Sequence, residues 1–75
     1  MPRARHQPDT TSRLTARETD VLRLIAGGHT YARAAARLGI SVHTVAAHIK
    51  KAYRKLGVHS AAAAIMRAAQ LGIID

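Results

Sequence analysis

The sequence predicts an all-α domain, a bundle of four helices, and three observations carry that prediction. Four times along the chain a threonine or serine stands in front of a helix-compatible run and a glycine stands behind it, as helix ends require. Within each run apolar residues return every three or four positions. Nowhere does the chain alternate apolar and polar residues as a half-buried strand would.

The first helix opens at Thr15, with Glu18 three residues on. Together they form a capping box, in which hydroxyl and carboxylate satisfy amides that the helix start leaves free. Glu18, Val21, Leu22 and Ile25 then recur at helical spacing until Gly27-Gly28 stops the run. The second helix follows Thr30 as N-cap, turns Ala34, Ala35 and Leu38 inward, and ends at Gly39. Small alanines on that face let another helix come close. The third follows Ser41 and runs to Leu56, ahead of Gly57. The fourth follows Ser60 and runs to about Leu71, ahead of Gly72.

Helices two and three are separated only by Gly39-Ile40-Ser41, with Gly39 supplying the left-handed backbone of a sharp turn and Ile40 plugging the space between the helices. A short helix, a tight turn and a longer helix make a helix-turn-helix, whose second helix enters the major groove of DNA. At 100° per residue, Val42, Val45, Ile49, Ala52, Tyr53 and Leu56 share the core side of the third helix. His43, Ala47, Lys50, Lys51 and Arg54 stand opposite, with Thr44, His48 and Lys55 on the flank. All three lysines of the protein lie in this helix, and it holds no acid. A solvated helix face ordinarily mixes signs, so one-signed charge points to phosphates as the missing partners.

Composition agrees. The 75 residues carry twelve Lys and Arg against four Asp and Glu, a formal net charge of +8, and no cysteine. Such an excess predicts a polyanionic partner. Two tyrosines are the only aromatics, too few for a stacking platform that binds single strands. Tyr53 lies at the edge of the core side; Tyr31, opening the second helix beside Thr30, can reach a phosphate. The longest apolar run, Ala61 to Met66, is far short of a membrane span, so the expectation is a soluble cytoplasmic protein with no membrane partner. No base–nucleophile pair, metal set or phosphate-cradling glycine loop is present, which argues against an enzyme and implies no cofactor. His43 and His48 diverge by about 140° on the helix and lack a third ligand, so no metal site is expected.

Residues 1–13 hold two prolines, Arg3, Arg5 and Arg13, and one large apolar residue, Met1; they read as a flexible basic arm, either a linker or untidied terminus or an arm that touches DNA. Residues 14–75 form the domain. The fourth helix is apolar on more than one side: Ile65, Ala68, Ala69 and Gly72 make one stripe, widened by Ala62, Met66 and the rim of Ala63. The excess suggests a two-fold contact between copies through Ala62, Ile65, Met66 and Ala69.

Leu14-Thr15-Ala16-Arg17-Glu18, Val21-Leu22-Arg23-Leu24-Ile25-Ala26, Gly28, Leu38-Gly39-Ile40-Ser41, Thr44-Val45, His48 and Lys55-Leu56-Gly57-Val58, in that order and spacing, resemble the LuxR-type (GerE-like) helix-turn-helix domain. The likeness runs from Leu14 to about Ile74. It implies a four-helix bundle whose third helix reads DNA and whose fourth dimerises, in a bacterial transcription regulator that usually carries this domain at the C-terminus of a larger sensor or receiver protein. By the same resemblance, Ala47 matches a base-facing position, Lys50 matches a base- or phosphate-facing one, and Thr44, His48 and Lys55 match backbone-facing ones. The sequence departs from the pattern at Ala46, where a lysine is usual, at Arg33, where a glutamate is usual, and at Ala61, where an arginine is common.

The residues expected to meet double-stranded DNA are therefore Thr30, Tyr31, Ser41, Val42, His43, Thr44, Ala46, Ala47, His48, Lys50, Lys51, Arg54 and Lys55. The leading reading is a sequence-specific regulator that binds an inverted repeat as a homodimer, with RNA polymerase or a regulatory protein as a further partner. Two alternatives use the same residues: a helix-turn-helix interaction module with weak DNA binding, favoured by Ala46 and Ala61, and a nonspecific nucleic-acid coating protein.

Overall fold

Each helix begins where a hydroxyl can accept an orphan amide. The computed structural model describes residues 14–74, in the order α1 (Ala16–Ala26), α2 (Tyr31–Leu38), α3 (Val42–Leu56) and α4 (Ala61–Gln70). Thr15 accepts from the Glu18 amide at 3.0 Å while the Thr15 amide donates to Glu18 Oε1 at 2.9 Å, completing the capping box. Thr30 caps α2 through the Arg33 amide, Ser41 caps α3 through the Thr44 amide, and Ser60 caps α4 through the Ala63 amide. The expected helix starts all hold. The arm expected over residues 1–13 lies outside the described residues.

The turn between α2 and α3 depends on Gly39. Its φ of 70° and ψ of 33° are left-handed, and its amide donates back to the Ala35 carbonyl. This closes α2 within one residue and lets Ile40 tuck against the core. A side chain at Gly39 would meet open space, so only the backbone restricts the position.

The core has two halves, and α1 and α3 run through both. Val21 of α1, Ala34 and Ala35 of α2, and Val45 and Ile49 of α3 form the first. Leu22 of α1, Leu56 of α3, Ala64 and Ala68 of α4, and Ile74 form the second. Tyr53 packs on both, which gives the half-buried ring the packing role expected of it. Because α3 touches the other three helices, its inner stripe is clamped along most of its length. Ala34, Ala35 and Ala52 are almost entirely excluded from solvent, and their small size lets α2 and α3 approach closely.

Two expectations about faces are corrected. Val42 was expected on the core side of α3 as well as near DNA, yet it is exposed, because it is the first residue of the helix and the buried stripe begins at Val45. In α4 the buried line is Ala64 and Ala68, with Ile65 partly covered, whereas Ala69 and Gly72 are exposed. Alanine methyls carry too little hydrophobic contrast to set the phase of a helix; Leu22 and Leu56, against which α4 packs, set it instead.

Replacing Gly39 with alanine should lower stability by about 1 kcal/mol, the cost of holding a Cβ-bearing residue left-handed. The check is urea denaturation, with a lower midpoint and an unchanged slope. An unchanged midpoint would show that the turn does not depend on this conformation.

Candidate nucleic-acid interface

The outer face of α3 is assembled by what its inner face buries. With Val45, Ile49, Ala52 and Leu56 turned inward, helical spacing sends His43, Ala47, Lys50, Lys51 and Arg54 to the surface, all exposed. Val42 and Thr44 are exposed beside them at the helix start. Ala46 and His48 are half-buried on the two flanks. Ser41 and Thr44 share a 2.9 Å hydroxyl contact in addition to the cap, so both hydroxyls are held at the N-terminal rim of α3. Thr30 and Tyr31 sit exposed at the start of α2. Thr30 is already occupied as a cap acceptor.

Burial raises the Tyr53 phenol above its usual pKa, and the neighbouring Tyr31 phenol adds to the rise through its charge and a hydrogen bond.

Lys55 has a different place from its neighbours. Its ammonium donates to Glu18 Oε1 at 2.7 Å, across 37 residues, and its side chain is 27% exposed. It anchors the last turn of α3 to the first turn of α1. Glu18 itself is 2% exposed. Burial pushes its carboxyl up, but the Lys55 ammonium and the Thr15 amide and hydroxyl outweigh burial and leave it below the usual carboxylate range. The partner of Lys55 could have been sought in the sequence: an acid inside an apolar stripe must be paired if it is buried.

The turn after α3 adds a residue that the wheel of α3 alone does not reach. His59 borders a depression shared with Lys50, Tyr53, Arg54 and Val58, so an exposed imidazole extends this face past the helix end. A histidine directly after a helix-stopping glycine and a packed valine was its only signal in the sequence. Among the described residues, acids occur only on α1: Glu18 holds Lys55, and Asp20 lies 3.9 Å from Arg17. The outer face of α3 has no acid to neutralise it. Among the described residues no group of three or more His, Cys, Asp or Glu is placed to hold a metal ion.

On α4, Ala62, Met66 and Ala69 are exposed along one line, with Met66 63% accessible, while Ile65 beside them is partly covered by the second half of the core.

An eight-residue helix, a left-handed glycine turn and a longer helix with an acid-free outer face define a helix-turn-helix domain of the DNA-binding class. Residues 12–68 match the GerE family, described as bacterial regulatory proteins of the luxR family. The chain belongs to that family. It superposes on the structure of the transcription factor GerE with a TM-score of 0.79 at 32% identity, covering 83% of this chain and 92% of that one. It superposes equally well, with a TM-score of 0.79 at 37% identity, on the response regulator ChrA of a heme-sensing two-component system, covering 95% of this chain and 33% of that one. The HTH-type transcriptional activator RamA of Corynebacterium glutamicum is 41% identical over 64 residues, which are 85% of this chain and 23% of that protein. A nitrate/nitrite response regulator homolog of Haemophilus influenzae is 48% identical over 59 residues, 79% of this chain and 28% of that protein. The chain spans about a quarter of the length of these curated relatives.

Substituting Lys55 with methionine should cost about 2–3 kcal/mol near neutral pH, between the penalties for an unsatisfied polar group and for a fully buried unpaired charge. Because the Glu18 carboxyl is lowered in the folded state, its contribution is complete above the ordinary carboxylate pKa and is lost as pH falls through the lowered value. Wild-type stability should therefore drop below about pH 4, and the Lys55→Met protein should show a flatter drop. Urea midpoints measured between about pH 3 and 6 test this; parallel pH profiles for the two proteins would refute the pairing.

Proposed function

We propose that this chain is a sequence-specific double-stranded DNA-binding transcription regulator whose α3 lies in the major groove. The observation that carries the reading is the exposed, acid-free face formed by His43, Ala47, Lys50, Lys51 and Arg54 on a helix clamped from behind by three others. Lysines and arginines displace counterions from phosphates and draw the domain onto duplex DNA in a salt-dependent manner. Once α3 is in the groove, Lys50, Arg54 and His43 donate to base edges, and the Ala47 methyl contacts a thymine methyl. Tyr31, Ser41, Thr44 and His48 line the rims of the same face and orient the helix through phosphates, as polar side chains and helix N-termini do. Lys55 supports the face from behind through Glu18.

Two copies associate through Ala62, Met66 and Ala69 on α4 and read an inverted repeat with half-sites about one helical turn apart. Met66, the most exposed large apolar residue described, supports this pairing. Among the described residues no helix is long and apolar enough to cross a membrane; the action proposed here, on DNA and on RNA polymerase or a regulatory partner, belongs to the cytoplasm.

Selection of bound duplexes from a random pool at about 150 mM salt tests both parts. The wild-type chain should enrich a two-fold symmetric motif, and Met66→Asp, which leaves the core untouched, should enrich a single half-site. Ile65 is less suited to the test because it also packs on the core. Binding without enrichment of any motif would contradict sequence reading, and a symmetric motif from Met66→Asp would contradict pairing through this face of α4.

A further inference from the structure

The domain carries a second cationic surface away from α3. Between α1 and α2 runs a shallow groove of about 370 Å³, lined by Asp20, Arg23, Leu24, Arg37 and Leu38. None of its lining residues belongs to α3. Val45 and Ile49 of α3 pack with α1 and α2, so the exposed face of α3 points the other way. The floor of the groove is apolar: Leu24 and Leu38 rest on the first half of the core yet stay only partly covered. Its rims are basic, with Arg23 and Arg37 both exposed. Asp20 is the one acid there and lies toward Arg17 at 3.9 Å. Arg23 makes a long contact of 3.5 Å from Nη2 to the Ile73 carbonyl, at the outer limit of a hydrogen bond.

We propose that this groove docks an acidic, leucine-containing amphipathic segment of another protein, with its carboxylates on Arg23 and Arg37 and its apolar side chains on Leu24 and Leu38. Charge selects this occupant. Guanidinium groups pair carboxylates in a planar, two-pronged geometry, and an apolar floor between two such groups matches a segment that alternates acids with leucines. The chain's own first thirteen residues, with Arg3, Arg5 and Arg13 against Asp9, have the wrong sign. A second copy, at a net charge of +8 and with Glu18 and Asp20 already beside cations, has the wrong sign too. A DNA backbone would satisfy the arginines but leave both leucines facing water. Docking here and DNA reading by α3 use separate surfaces, so either can fail without the other.

The test is titration of the ¹⁵N-labelled chain with a synthetic amphipathic peptide that carries a stripe of Leu flanked on both sides by Glu and Asp. Its control has serine in place of every leucine. Amide shifts should centre on residues around Leu24 and Leu38, and the serine peptide should bind about tenfold more weakly or worse, having lost the apolar contact. In parallel, fluorescence anisotropy should show the leucine peptide losing about fivefold or more in affinity for the Arg23→Gln, Arg37→Gln double variant. A thermal melt confirms that the variant folds; the mapping on the wild-type chain stands if it does not. Absence of binding, equal binding of the serine peptide, an undiminished affinity in a folded double variant, displacement by duplex DNA, or shifts centred on Lys50 and Arg54 would each overturn the proposal.

Discussion

The contact between Glu18 and Lys55 joins the two helices on which everything else is hung. One carboxylate caps its own helix through Thr15 and, almost wholly buried, receives the ammonium from the far end of α3 at 2.7 Å. Either role alone is ordinary. Their combination means that the start of α1 and the last turn of α3 share a single charged group, and neither end can shift without leaving it unpaired in the interior. Between those ends, Val21 and Leu22 of α1 feed the two halves of the core that fix the inner stripe of α3. The direction in which Lys50, Lys51 and Arg54 project follows from that register.

The placement of acids explains why the outer face stays positive. Within the described residues, α2, α3 and α4 hold none, and both acids of α1 lie beside cations. Stability of order 0.1 kcal/mol per residue leaves a domain this small limited room for self-repulsion, and four satisfied helix starts and almost fully excluded alanines offset the imbalance. The same scarcity of acids makes an anion from outside the chain the natural partner for the exposed arginines that have no acid beside them.

Much of this was legible in the sequence, and for physical reasons. Threonine and serine caps followed by stopping glycines mark helix ends by local hydrogen bonding alone, so every helix start fell where its cap stood. The outer face of α3 was equally readable, because Val45, Ile49 and Leu56 are large enough to set the phase of the helix. Where side chains are small or their partners distant, the sequence was silent. The alanines of α4 did not reveal that Ala64 rather than Ala69 is buried. The spacing of Lys55 placed it on the flank of α3 but not on Glu18, which lies 37 residues earlier in the chain. Val42 fell on the core side of the wheel although the buried stripe of α3 begins only at Val45. His59 and the α1–α2 groove arise only when separate elements are brought together.

The central claim is that the outer face of α3, held in register from behind by α1, is the surface that meets DNA. The most direct measurement is amide chemical-shift mapping of the ¹⁵N-labelled chain with a short duplex at about 150 mM salt, a concentration that screens diffuse attraction. The account predicts the largest shifts at His43, Ala47, Lys50 and Arg54 and at the start of α2, with the exposed side of α1 around Arg17 and Asp20 unmoved. Shifts centred on α1 or α4, with the outer face of α3 unchanged, would contradict it.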